Sequence, residues 1–121
     1  MVLKTTKPLG ASDWAGTSFS NGKGGFATAI PFDAENNIMT VKVYSPDAGI
    51  VVNLKAEDKT DPTKSVETVT TTTKSNEWET LTFDFSNERT GTAAINYSYT
   101  FDMLSIFYNF GVTGDDAGEK V

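Results

Sequence analysis

The stretch Asn76-Glu77-Trp78-Glu79-Thr80-Leu81-Thr82-Phe83-Asp84-Phe85 has the most regular alternation in the chain. Its odd positions from 81 are Leu, Phe and Phe, whereas its even positions from 80 are Thr, Thr and Asp. A period of two places successive side chains on opposite faces of a β-strand. We therefore predict a half-buried strand over residues 79–85 that points Leu81, Phe83 and Phe85 into a core. Trp78, just before it, is predicted to be a ring that closes one end of that core.

Two earlier segments, 38–44 and 50–57, alternate in the same way. The first places Met39, Val41 and Val43 on one face. The second turns Ile50, Val52, Leu54 and Ala56 inward, and Asn53, Lys55 and Glu57 outward. Because the connection at 45–49 has the Pro and Gly of a β-turn, we predict that the two strands form a hairpin.

The rest of the chain adds further short strands and no sustained helical period. Candidates are 13–19, 26–32, the Thr-rich run 66–73, and 99–111. The last is apolar on nearly both faces, which predicts a central, covered strand. Gly16 indicates a bulge or a close backbone approach. The pattern predicts an all-β, antiparallel β-sandwich of about seven to eight strands.

Composition limits both size and function. The 121 residues suit a single domain, 1–121, and 12% of them are aromatic. The chain has no Cys and no His, which removes disulfides, thiolate metal sites and the Ser-His-Asp triad. Ten Lys and Arg against sixteen Asp and Glu give a net charge of −6, which argues against a nucleic-acid partner. No apolar run approaches the roughly 20 residues of a membrane span, and no signal peptide is predicted.

Acidic residues suggest two kinds of chemistry, and we predict neither. Glu77 and Glu79 lie on one side of a strand, near enough for the roughly 5–9.5 Å separation of glycosidase carboxylates. Acidic residues are ordinary at an exposed strand start, so no catalytic residue is predicted. The acidic loops at Asp58, Asp61 and at Asp115, Asp116, Glu119 do not match the calcium-loop spacing. No metal or other cofactor is predicted.

An aromatic sugar platform is the best-supported kind of site. Rings stack on the apolar faces of pyranoses, while amides and charged groups bind the hydroxyls. The predicted ligand-binding residues are Trp14, Tyr44, Asn53, Lys55, Glu57, Tyr97, Tyr99 and Asn109.

Several phrases together resemble one family of domains. They are Trp14-Ala15-Gly16-Thr17 and the runs 41–49, 54–58, 71–85 and 104–111. The sequence is similar, in order and over nearly its whole length, to the jelly-roll, carbohydrate-binding-module-like domains attached to laminarinases and other secreted bacterial polysaccharide-degrading enzymes. The resemblance implies a noncatalytic, extracellular or surface-associated jelly roll that binds a glucan-type polysaccharide.

Compared with that family, the sequence is expected to lack the first and last strands, which tend to lie together in a jelly roll. Their loss would leave an open sheet edge, and we expect a homo-oligomer or strand exchange to fill it. The alternative function is a structural or assembly module, such as a surface or virion decoration protein. A glycoside hydrolase is the third possibility.

Overall fold

The computed structural model describes residues 2–19 and 24–114. Most of the predicted turn at 20–25, and the acidic residues Asp115, Asp116 and Glu119, lie outside these ranges. The described part is all-β and contains no helix. Its strands are β1 (Thr17–Phe19), β2 (Ile38–Ser45), β3 (Val51–Asp58), β4 (Asp61–Thr71), β5 (Glu77–Asp84) and β6 (Met103–Tyr108).

The six strands form two antiparallel sheets. A four-stranded sheet has the order β1-β6-β3-β4, and a two-stranded sheet pairs β2 with β5. The sequence predicted seven to eight strands, and the described residues have six. The predicted segment 26–32 is not a strand, although Phe26 and Ile30 donate backbone hydrogen bonds to Asp102 and Phe101.

The predicted hairpin of 38–44 with 50–57 is wrong. Instead, β2 pairs with β5, and β3 pairs with β4 and β6. The two strands lie in different sheets, and residues from both, Val43 of β2 and Val52 and Leu54 of β3, belong to the same buried cluster. The connection at 46–50 therefore crosses between the sheets. Thr72 supports this crossing, because its hydroxyl accepts a hydrogen bond from the Ile50 N–H at 2.9 Å and donates one to the Asp47 carbonyl at 3.0 Å.

A single core lies between the two sheets, which gives the fold a sandwich-like form. Leu81, Phe83 and Phe85 are buried in it, as the alternation of β5 predicted. Its other buried members are Val43 from the two-stranded sheet, Val52, Leu54, Ala56, Val66 and Ile106 from the four-stranded sheet, and Phe101. The inner rows of both sheets therefore contribute to one cluster.

The predicted central position of the last strand is confirmed. β6 lies between β1 and β3, although it is shorter than the predicted segment 99–111. The close approach predicted at Gly16 is also confirmed: a Cβ there would collide with the Phe107 ring and lie 2.7 Å from the Ile106 carbonyl oxygen. In residues 2–19 and 24–114, no helix is long and apolar enough to cross a membrane.

Candidate functional site

The outer face of the two-stranded sheet carries an exposed pair of aromatic rings. Tyr44 of β2 lies directly opposite Trp78 of β5. Their ring centroids are 5.6 Å apart and their planes meet at 64°, an edge-to-face contact. Tyr44 is 48% exposed and Trp78 is 54% exposed. The pair leaves much of its apolar ring surface open to solvent.

The prediction that Trp78 closes the core is wrong. Alternation along β5 places it in the outer row with Thr80 and Thr82, because the inner row runs through Leu81 and Phe83. At this end of the strand the inner position is taken by Glu79. The sequence shows the alternation, but the aromatic pair becomes visible only when β2 is placed beside β5.

A shallow depression of about 740 Å³ adjoins the aromatic pair. Hydroxyl, ammonium and carboxylate groups stand around it next to the indole ring. The lining residues are Lys42, Thr73, Lys74, Trp78, Glu79 and Thr80. Such a mixture of apolar and hydrogen-bonding groups is typical of sites that bind polar organic ligands.

Hydrogen bonds from the adjacent turn hold the Glu79 carboxylate. It accepts bonds from the Thr73 N–H at 3.0 Å, the Thr73 hydroxyl at 2.9 Å and the Lys74 N–H at 3.2 Å. Desolvation raises the pKa of Glu79, but the hydrogen bonds from Lys74 and Thr73 outweigh it and leave the pKa below its ordinary value. A general acid needs a raised pKa, so this carboxylate is better suited to stabilising the turn.

Three predicted site residues, Asn53, Lys55 and Glu57, lie together on the opposite side of the molecule. They occupy the outer row of β3, on the face of the four-stranded sheet that points away from the core. Asn53 is nevertheless fully buried and Glu57 almost so. Lys55 and Glu57 form an ion pair with each other at 3.5 Å. The protein itself therefore satisfies much of their binding capacity.

Asn53 belongs to a small polar cluster on this face. Its amide Nδ2 donates to Glu67 Oε1 at 3.1 Å, and Arg89 Nη2 donates to the same oxygen at 3.3 Å. The Arg89 guanidinium also lies 4.7 Å from the centroid of the Phe110 ring. Within the described part of the chain, Asn53 Oδ1 and Arg89 Nε are buried and have no hydrogen-bond partner.

The other four predicted site residues do not join either group. Tyr97 is partly exposed, and its hydroxyl accepts a hydrogen bond from Asn37 Nδ2 at 2.9 Å. Tyr99 packs against the core with an edge-to-face contact to Phe101. Trp14 is 68% exposed. Asn109 is buried, and its carbonyl oxygen accepts a hydrogen bond from Lys7 Nζ at 2.9 Å.

The predicted site residues are therefore divided among separate surfaces. Asn37, the partner of Tyr97, precedes β2, whereas Tyr44 lies near the end of that strand. At about 3.4 Å per residue the two positions are roughly 24 Å apart. Asn53, Lys55 and Glu57 face away from both. None of the predicted site residues lines the depression, although the Tyr44 ring contacts Trp78 beside it. The sequence did not point to Lys74, Thr80 or Trp78 as site residues.

The acidic residues of the β3–β4 turn are engaged in local hydrogen bonds. Asp58 accepts from the N–H and hydroxyl of Thr60, and Asp61 from those of Thr63. These bonds lower the pKa of Asp58 and Asp61. In the part of the chain that the structure describes, there is no group of three or more acidic residues that could hold a metal ion.

No protein-family model matches the chain, and neither a curated protein nor a solved structure matches it.

Proposed function

We propose that this chain is a noncatalytic carbohydrate-binding module that holds a glucan-type polysaccharide on the outer face of β2 and β5. The observation that carries the proposal is the exposed Tyr44–Trp78 pair beside a depression lined by polar groups. The resemblance found in the sequence supports the same class of function, with a jelly-roll arrangement of strands and an extracellular or surface-associated location.

The chemistry of the depression fits a sugar. The exposed ring faces offer apolar surface for the C–H side of a pyranose, and burying that surface is favourable. Lys42, Lys74 and Thr80 offer donors to hydroxyl groups around the ring. Glu79 is engaged with the turn at 73–74 and is suited to shaping the depression, not to proton transfer.

Affinity electrophoresis in gels that contain laminarin tests the proposal. The unmodified protein should be retarded, and Trp78→Ala or Tyr44→Ala should reduce the retardation strongly, because stacking of a sugar on the ring is lost. Trp14→Ala is the matched control, since it removes an exposed indole that does not line the depression. Retardation that survives Trp78→Ala but disappears in Trp14→Ala or Tyr97→Ala would place the site on another surface.

A structural or assembly module is the second candidate. It is favoured by β2, which pairs with β5 along one edge and has no strand on its other edge within residues 2–19 and 24–114. Unpaired strand edges are sites at which chains associate. A stable oligomer together with no binding to a broad panel of glycans would support this candidate over carbohydrate binding.

A further inference from the structure

The edge of β2 that faces away from β5 combines an unpaired strand with exposed apolar side chains, within the described part of the chain. β2 runs from Ile38 to Ser45 and pairs along its whole length with β5. In the described part of the chain no strand pairs with its other edge. Ile38 is 60% exposed in the outer row, and Met39 and Val41 of the inner row are only partly buried. With respect to strands in residues 2–19 and 24–114, this edge therefore offers unpaired backbone groups together with apolar side chains.

We propose that two copies of this chain pair through β2, antiparallel, about a twofold axis at Val41. The two small sheets then become one continuous sheet of order β5-β2-β2-β5. The contact is isologous, so each strand presents the same surface to the other. This dimer does not depend on carbohydrate binding.

The alternation of β2 restricts the register of this pairing. Residues directly opposite in an antiparallel pair share a face, so the inner and outer rows of the two copies must match. Sliding one strand past the other by one residue would place inner residues opposite outer ones. Only registers that differ by two residues, each with its twofold axis at a residue of β2, are therefore allowed. A twofold axis at Val41 pairs seven residues of each strand. The cross-axis pairs are Ile38 with Tyr44, Met39 with Val43, Thr40 with Lys42, and Val41 with itself.

The next allowed register is less favourable. With the axis at Lys42, the two ammonium groups would lie opposite each other, and like charges directly opposite are destabilising. Ile38 would then have no partner in the other strand. With the axis at Val41, Ile38 lies opposite Tyr44 of the other copy. Axes at Thr40 or Val43 pair fewer residues. Side-chain chemistry and strand length therefore favour the same register.

The dimer would have a consequence for ligand binding if the proposed function holds. Both Tyr44–Trp78 pairs would lie on the same outer face of one sheet. Neighbouring strands in that sheet would be about 4.8 Å apart. A polysaccharide with repeated units could then contact both sites at once. Simultaneous contact raises the overall affinity without any new contact at either site.

Sedimentation velocity over a concentration series tests the pairing with variants at an exposed position. Thr40 faces solvent and lies opposite Lys42 of the other copy in the proposed register. Thr40→Lys creates two like-charge contacts per dimer and should weaken the dimer roughly tenfold. Thr40→Glu creates two opposite-charge contacts and should strengthen it by roughly three- to tenfold.

Thr82→Lys provides the matched control. Thr82 lies opposite Thr40 within one copy, in the same outer row but one strand further from the axis. This variant should dimerise as the unmodified protein does. Amide hydrogen exchange of β2 should also slow as concentration rises. A protein that remains monomeric throughout, or a dimer that responds alike to Thr40→Lys and Thr40→Glu, would overturn the proposal.

The dimer should be weak. Pairing through one strand edge buries less than the roughly 1,200–2,000 Å² of a standard interface. The concentration series must therefore extend to high protein concentration, where the unmodified protein and Thr40→Glu should both show dimers before Thr40→Lys does.

Discussion

At the residue scale, Trp78 and Glu79 occupy the opposite faces of β5 from those that their polarity would predict. An indole is expected to face the core and a carboxylate the solvent. The indole is in the outer row of β5 and the carboxylate is in the inner row. This arrangement is possible because the carboxylate, opposite Val43 in the inner row, reaches hydrogen-bond donors at residues 73–74. Three donors from that turn replace the water that the carboxylate would otherwise bind.

Glu79→Gln should make the protein less stable at neutral pH and have much less effect under acidic conditions. The pKa of Glu79 lies below its ordinary 4.5, so the folded state holds the ionised form more strongly than the unfolded chain does. The stabilisation is therefore present above that pH and is lost as the pH falls through the lowered pKa. Thermal unfolding of the two proteins at neutral and acidic pH measures this.

The control for this experiment is Glu77→Gln, two residues earlier. Glu77 is exposed, and the hydrogen bonds from residues 73–74 go to Glu79 and not to Glu77. Its replacement should change stability little at either pH. An equal loss of stability in Glu79→Gln at both pH values would show that charge is not what the turn requires.

At the element scale, individual strands were easier to predict than their partners. The inner row of β5, the central position of β6 and the close approach at Gly16 follow from local patterns of residues. The partner of β2 does not follow from such a pattern. A strand with one apolar face can either pair with β3 in the same sheet or pack against β3 from a second sheet. A short turn with Pro and Gly is compatible with both.

The candidate site was difficult to predict for the same reason. Tyr44 was predicted as a site residue, but its ring acquires its neighbour only through the pairing of β2 with β5. The positions of Asn53 and Glu57 in an outer row were predicted, whereas their burial was not. Asn53 lies in a cluster with Glu67 and Arg89, which are distant from it in sequence. Alternation identifies a face but not what covers it.

Phe83→Ala should destabilise the protein by about 3–5 kcal/mol, because it removes a fully buried ring from the middle of the core. Thr82→Ala, in the next position of the same strand, should change stability by less than about 0.5 kcal/mol because its side chain is exposed. Urea unfolding of both variants gives the comparison. Similar losses in the two would contradict the assignment of inner and outer rows in β5.

At the scale of the whole molecule, the two sheets are joined by crossings that hydrogen-bond to each other. The connection from β2 to β3 and the one from β4 to β5 lie side by side. The Gly49 N–H donates to the Thr72 carbonyl, the Ala48 N–H to the Ser75 hydroxyl, and the Asn76 N–H to the Ser45 carbonyl. Together with the Thr72 hydroxyl, these bonds fix one end of the sandwich-like fold.

Thr72→Val should cost about 1–3 kcal/mol, because it leaves the buried Ile50 N–H without its acceptor. Thr72→Ser keeps a hydroxyl in that position and should retain most of the stability. Chemical denaturation distinguishes the two variants. Equal stability of Thr72→Val and the unmodified protein would mean that the hydroxyl does not hold the crossing.

The order of pairing along the chain has a consequence for how the protein folds. β3 and β4 are joined by a two-residue turn, and both lie between β2 and β5 in the sequence. Once that hairpin has formed, much less free chain separates β2 from β5, so bringing them together costs less entropy. We expect the β3–β4 hairpin to form first and β1, whose partner β6 lies almost the whole chain away, to join late. The short turn at Lys59 and Thr60 is therefore where folding is expected to begin, although it lies outside the candidate site.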